Sequence, residues 1–446
     1  GEIVRTRLEM PLSEEEVIYG SGERYNGVNQ NGKRSVMWNC DVCYHGKNVG
    51  ADGIEELWRG YKNIPLLHSN AGYSLFYNST CCAEFDIGYT DKSKYSLDFA
   101  DNRLDVYLWT GAISENIVKY TDLTGKSYLP PKWAFQYQAG GSNGFWGNKK
   151  SDEYQLEQAK KLINSYAAME TPLKTVYLEG VNLLGENNAV AELFRQNNVR
   201  MLKWNNGDCV SLDEAEKLMP ELKGNKLPLL KNSTNGSYYG QWIDFSDSDG
   251  TELLKRFLTR YTDIGIRGGM CDFAELIGIN AVSPVSGLDG TRLHNFYTYG
   301  YAKGYNKAYS ELTGNDFFCY IRGASAGTQS RAGLWAGDQY NSWAGLKMQL
   351  SAGLSAASCG FSIWGTDLCG LDGPLEDELF CRGLMMAAFS PIMRTGGNVS
   401  KLPTDYGATV CNTYKKAYWI RENLLNKLYS SAINSSKTGL PMMQAM

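Results

Sequence analysis

Two carboxylates close apolar runs in this chain. Asp272 ends Met270-Cys271-Asp272, ahead of Phe273-Ala274-Glu275, and Asp338 ends Trp335-Ala336-Gly337-Asp338, sixteen positions after Arg322. Two carboxyl groups on one pocket are the minimum equipment for breaking a glycosidic bond, one as nucleophile and one as acid/base. In that chemistry one carboxylate must stay ionised to attack an anomeric carbon, which requires a positive or donor-rich neighbourhood. The other must hold a proton, which desolvation and the charge of the first would favour by raising its pKa. Arg322 offers a planar donor fork suited to paired sugar hydroxyls or to an acidic neighbour. Glu275, three residues past Asp272, reads as an orienting group behind it. Trp204, Trp242 and Trp335 are candidate stacking faces for a sugar, with core packing the competing role for each. With 48 acidic residues in the chain, a lone Asp at a strand end would mean little. The order of several such segments carries the reading.

Such groups need strands to deliver them. From Trp133 onward, strand and helix patterns alternate. Candidate strands are Trp133–Tyr137, Leu173–Leu178, Val199–Trp204, Ile266–Cys271, Phe317–Ile321, Leu334–Ala336, Phe361–Gly365 and Leu440–Ala445. Between them, Leu253, Leu254, Phe257, Leu258 and Tyr261 form one apolar stripe, and Tyr414, Ala417, Ile420, Leu424 and Leu428 form another. A helix is expected around Leu346, Leu350 and Leu354. The pattern predicts an α/β fold, a (β/α)8 TIM barrel whose working residues lie at the C-terminal strand ends. Residues 1–125 read instead as β-rich, with runs such as Tyr73–Tyr77 and Leu104–Trp109 separated by Gly and Asn turns. They predict an N-terminal β-sandwich domain, incomplete at its start, ahead of a catalytic barrel over 126–446. The barrel is expected to end at its eighth strand with no covering helix, which would leave Leu440, Met442 and Met443 open to water.

Composition narrows the partners. A net charge of −4 without a basic cluster argues against nucleic acid and anionic membranes. No apolar run reaches the ~18 residues of a membrane span. Three histidines and one isolated CxxC, Cys40 to Cys43, make a metal centre or a Ser–His–Asp triad improbable. No cofactor is expected. The partner expected is a carbohydrate; compartment and oligomeric state are not legible.

Taken in order, the motifs resemble glycoside hydrolase family 31, the α-glucosidase and α-xylosidase family. Gly20-Ser21-Gly22-Glu23-Arg24-Tyr25 and Trp38-Asn39-Cys40-Asp41 resemble its N-domain segments. Tyr120-Thr121-Asp122-Leu123-Thr124-Gly125 with Leu129-Pro130-Pro131-Lys132-Trp133 is similar to its entry into the barrel. Cys271-Asp272-Phe273-Ala274-Glu275 matches the nucleophile signature, and Arg322 with Trp335-Ala336-Gly337-Asp338 the segment ending in the acid/base. Gly365-Thr366-Asp367-Leu368-Cys369-Gly370 and Ser390-Pro391-Ile392-Met393-Arg394-Thr395 match the two motifs that follow. The resemblance implies a retaining α-glycosidase with Asp272 and Asp338 as catalysts. It implies substrate contacts from Arg322, Trp335, Asp367, Glu179, Trp204, Phe273 and Arg394, and further β-domains after the barrel, so that these 446 residues are expected to be part of a longer reading frame. Two positions depart from the pattern. Gly396 stands where many members carry a His, and Glu179 where α-glucosidases carry an Asp. An altered hydroxyl pattern follows, with α-galactoside or α-N-acetylgalactosaminide joining α-glucoside and α-xyloside as candidates. Transglycosylation, a lyase reaction and silent sugar binding are the competing activities.

Overall fold

The computed structural model describes residues 4–42, 56–140, 151–179, 183, 188–206, 209–222, 224–235 and 240–444. Strands β1 (Thr6–Pro11), β2 (Ile18–Gly22), β3 (Lys33–Val36), β4 (Asn63–Ser69), β5 (Tyr73–Tyr77), β6 (Ala83–Ile87), β7 (Lys94–Phe99) and β8 (Val106–Thr110) build two antiparallel sheets. Their orders are β1-β7-β6-β3 and β2-β4-β5-β8. Alternation decides what each face does. In β7, Tyr95, Leu97 and Phe99 turn inward against Leu67, Leu75 and Tyr77 of the facing sheet, and the residues between them face outward. Strand β4 is buried at every position because its sheet is covered twice: Leu67 faces the sandwich core, while Ile64 and Leu66 pack towards the barrel.

After helix α1 (Ile113–Thr124) the chain enters the barrel. Its elements are β9 (Gln138–Gly140), α2 (Asp152–Ala168), β10 (Thr175–Leu178), α3 (Ala189–Gln196) and β11 (Arg200–Asn206). An insert follows, made of β12 (Cys209–Val210), α4 (Leu212–Leu218), β13 (Leu229–Asn235) and β14 (Gly240–Ile243). Then come α5 (Ser248–Asp263), β15 (Ile266–Asp272), α6 (Gly290–Thr313), β16 (Phe318–Ile321), β17 (Gly333–Trp335), α7 (Trp343–Ser358), β18 (Trp364–Gly365), α8 (Asp377–Phe389) and α9 (Ala408–Thr438). The strands are parallel in the order β18-β17-β16-β15-β11-β10-β9, that is, in sequence order. Residues 392–395 close the ring. Ile392 N–H donates to Trp364 O at 3.0 Å, Gln138 N–H to Met393 O at 3.0 Å, and Thr395 N–H to Gln138 O at 3.0 Å.

This closure corrects the expected eighth strand. The stave is 392–395, and helix α9 follows it instead of preceding it. Leu440–Gln444 is an irregular tail that begins after Gly439, whose left-handed φ of +85° ends α9. Its side chains are not bare: Leu440, Met442 and Met443 are half-buried, Met442 against the barrel interior and Met443 against the core shared with the sandwich. The first strand also moves. Lys132–Phe135 form a 3-10 turn behind Pro131 and plug the barrel with Trp133, Ala134 and Phe135, so that β9 starts only at Gln138.

Arg421 on α9 holds this seam from outside. Fully buried, it donates from Nε to Phe135 O, from Nη1 to Ala388 O at 3.2 Å and Ser390 O, and from Nη2 to Pro391 O at 2.6 Å.

Candidate active site

The barrel interior is filled by Tyr177, Leu202, Met270, Phe318, Tyr320, Trp335, Ile363 and Ile392. A strand repeats its facing every two residues, so the next inward position lies at its C-terminal end. Two residues past Tyr177, Leu202, Met270, Tyr320 and Ile392 stand Glu179, Trp204, Asp272, Arg322 and Arg394. Asp367 stands two past Gly365 on the same register. One parity rule thus gathers six of the side chains singled out in the sequence on one mouth.

Arg322 is the hub of that mouth, with 1% of its surface exposed. Its Nη1 donates to Asp338 Oδ2 at 3.0 Å and its Nε to Glu275 Oε1 at 2.6 Å. Nε also lies 2.9 Å from Asp272 Oδ1, and Nη2 lies 3.1 Å from Asp41 Oδ2. Four carboxylates therefore share one guanidinium. Asp272 receives two further donors, Trp204 Nε1–H to Oδ2 at 3.1 Å and its neighbour's amide, Phe273 N–H to Oδ1 at 2.8 Å. Phe273 holds a φ of +64°, rare for an aromatic residue. Its ring meets Trp204 edge-on at 5.9 Å, with the Arg322 guanidinium 4.8 Å from its centre.

Burial and crowding separate the acids. Asp338 is pushed up to about 8 by burial and by the negative charges of Asp272 and Asp41, which Arg322 only partly offsets. Burial also raises Asp272, but Arg322, Trp204 and the Phe273 amide all oppose that rise. When two interacting acids differ in this way, the one with more donors gives up its proton first, leaving Asp338 as the proton holder. Glu275 is raised to about 7, chiefly by burial, against the pull of Arg322. Glu179, half-buried and accepting from Tyr177 Oη–H at 3.3 Å, is also raised to about 7 by burial and then by Asp272.

Across the mouth, Arg394 Nη2 sits 2.8 Å from Asp367 Oδ1, both residues 1% exposed. The contact is one of charge without hydrogen-bond alignment. Both Asp367 carboxyl oxygens, together with Arg394 Nε and Nη1, lack hydrogen-bond partners among the described residues. Gly396 is part of this arrangement. A Cβ there would come within 2.4 Å of both Arg394 Nη2 and Asp367 Oδ1, so the ion pair fills the space beside this glycine. Trp335 departs from its expected part as an open stacking face: it is completely buried, edge-on to Tyr320 at 5.9 Å, with Nε1–H unpartnered. Trp242 lies on β14 in the insert, buried and packed edge-on against Tyr297.

Two residues escaped the sequence reading of the site. Asp41, quoted only as part of a motif, and Tyr61, not singled out at all, both reach Arg322 from the sandwich side. No strand-end signal marks either one, because both sit in the connections leading to β4.

Residues 127–431 match the model of the glycosyl hydrolases family 31 TIM-barrel domain, and residues 2–86 match that of the glycosyl hydrolase 31 N-terminal galactose mutarotase-like domain. The isomaltosyltransferase of Sporosarcina globispora is 26% identical, over 98% of this chain and 44% of that protein. Alpha-glucosidase 2 of Bacillus thermoamyloliquefaciens is 25% identical, over 98% of this chain and 58% of its own length. The cycloalternan-degrading enzyme from Trueperella pyogenes, solved in complex with a covalent intermediate, shares the fold with a TM-score of 0.84 at 19% identity, covering 99% of this chain and 67% of that one. The chain spans about half the length of the curated relatives it matches. Barrel, sandwich and both family models agree: the chain belongs to glycoside hydrolase family 31, a family of α-glycosidases.

Proposed function

We propose that this chain carries the centre of a retaining, exo-acting α-glycosidase, with Asp272 as nucleophile and Asp338 as acid/base. The observation that carries the reading is Arg322, which holds Asp272 Oδ1 and Asp338 Oδ2 within 2.9 and 3.0 Å of a single guanidinium. That spacing favours the close pair of a retaining enzyme over the wide pair that admits a water between the carboxyls. In the first step Asp272 attacks the anomeric carbon while the glycosidic C–O bond breaks, and the departing oxygen takes the proton of Asp338. In the second, Asp338 removes a proton from water, whose oxygen attacks the same carbon and releases Asp272. Arg322 remains charged throughout and stabilises whichever carboxylate is ionised. Asp367, Arg394 and Trp335 bring buried, unpartnered polar atoms to the site. Each such atom costs ~1–3 kcal/mol until it is satisfied, so a polyhydroxylated ring suits them.

The sugar is set by Glu179, one methylene longer than Asp, and by the Asp367–Arg394 pair. α-Galactoside and α-N-acetylgalactosaminide stand beside α-glucoside and α-xyloside as candidates. A panel of p-nitrophenyl α-glycosides, followed by NMR of the first product, tests the proposal. Retention is expected, and a β-anomer as first product from an α-glycoside refutes it. A sugar in place of water in the second step gives transfer, a reading favoured by the likeness to an isomaltosyltransferase. Product analysis with an added acceptor sugar separates the two.

A further inference from the structure

The loop that carries Asp338 is held from outside the barrel. Ala336-Gly337-Asp338 leaves the end of β17 and meets two tyrosines of the sandwich. Tyr25 Oη–H donates to Ala336 O, and the same hydroxyl lies 2.7 Å from Glu23 Oε2. Glu23 is fixed in turn by a fully buried ion pair with Lys62 and by Trp364 Nε1–H at 2.8 Å. Tyr61, also fully buried, accepts the Asp338 N–H on its hydroxyl at 3.2 Å. Its ring covers Gly337, where a Cβ would stand 2.2 Å from the ring and where the backbone holds a φ of +72°. The Arg322 guanidinium lies 5.0 Å from the centre of that ring, and the Tyr61 hydroxyl proton points to Val42 O, with Asp41 Oδ1 at 3.3 Å.

We infer that Tyr61 is a positioning residue for the acid/base, and that the sandwich domain is thereby part of the catalytic apparatus. The inference rests on the reading of Asp338 as the proton donor. A single side chain touches the backbone of Asp338, the glycine that lets the loop turn, and the guanidinium that binds the Asp338 carboxyl. Taking away its hydroxyl removes the Tyr61 acceptor from the Asp338 amide and loosens the loop, while the ring still covers Gly337. Positions of catalytic groups matter at the scale of an ångström. The damage should therefore fall on proton donation and spare attack by Asp272.

The test compares Tyr61→Phe with the parent chain and with Asp338→Asn, using aryl α-glycosides that span good and poor leaving groups, each over a full pH range. The expected result is that Tyr61→Phe loses roughly tenfold or more in kcat/KM on the poorest leaving group and less than about threefold on the best, with a displaced basic limb. A uniform loss across all leaving groups with an unmoved basic limb overturns the inference, because that is what a purely structural tyrosine would give. So does an unchanged enzyme. If Tyr61→Phe does not fold, 3-fluorotyrosine placed at position 61 alone keeps the ring and weakens the hydroxyl as an acceptor; the same selective loss is expected, and a uniform one again overturns the proposal. Asp338→Asn keeps the two ideas apart. If that variant retains both the basic limb and full activity on poor leaving groups, the acid/base reading itself fails, whatever Tyr61→Phe does.

Discussion

In the proposed mechanism, the division of labour between Asp272 and Asp338 comes from what surrounds each side chain, since the two are chemically alike. With Asp338 lifted to about 8, the basic limb of kcat/KM is expected near pH 8, where that proton is lost. Asp338→Asn should remove the limb and leave the acidic one, and a pH profile of that variant checks it. Asp272→Ala should abolish turnover, with azide restoring a β-glycosyl azide product. At Gly396 a methyl group collides with Arg394 and Asp367, so Gly396→Ala should raise KM about tenfold or more while the melting temperature stays within a few degrees of the parent. Activity and calorimetry on one preparation separate those effects. Most of this mouth was legible beforehand. Asp272, Arg322, Glu179 and Trp204 each follow an apolar strand by the period of two, and Arg394 was reached through its motif alone. Asp41 and Tyr61 obey no such rule: their place depends on how a separate domain leans on the barrel.

Among the elements, the weakest sequence signal belonged to the stave that closes the ring. Residues 392–395 are four in number, carry Arg394 and follow Pro391, so they read as a motif and not as a strand. Leu440–Ala445 was more apolar and took that place wrongly. The insert was missed as well: β12 has only two residues, β14 four, and β13 turns polar after Leu229 and Leu230. Helices α5 and α9 were legible because an apolar stripe over several turns is a long-range signal; α7 was placed by its leucines, of which Leu350 faces solvent. Arg421 explains how so short a stave is held. Arg421→Met should leave the carbonyls of Phe135, Ala388, Ser390 and Pro391 without their donor, at a cost on the order of 3 kcal/mol or more. Lys in its place keeps the charge but not the fork, and should recover only part of the loss. Urea unfolding of the two variants beside the parent measures both.

At the scale of the whole molecule, the buried acids tie stability to pH. Asp338, Glu275 and Glu179 are all raised by burial, to about 8, 7 and 7. A carboxyl whose folded pKa lies above its unfolded value holds its proton more tightly in the folded chain. Its contribution is fully present below the unfolded pKa, about 4, and is lost as pH rises through the folded one. Urea midpoints should therefore fall between pH 5 and pH 8.5, and Asp338→Asn should flatten the slope. A midpoint that climbs over that window contradicts the buried, proton-holding state of these acids.

The sharing of one guanidinium by four carboxylates has a consequence for inhibition. With Asp338 protonated, Asp41, Asp272 and Glu275 still outnumber Arg322, and the cluster stays negative even if Glu275 holds a proton too. A sugar ring bearing a protonated nitrogen would meet that field, as would the positive charge that develops at the anomeric carbon during cleavage. Such iminosugars should bind more tightly than the neutral sugar of the same shape. Their affinity should rise with pH until either the ligand's own nitrogen loses its proton or the pocket has ionised fully. Because Arg322 is buried, moderate salt should weaken that preference far less than it would weaken an attraction at the protein surface.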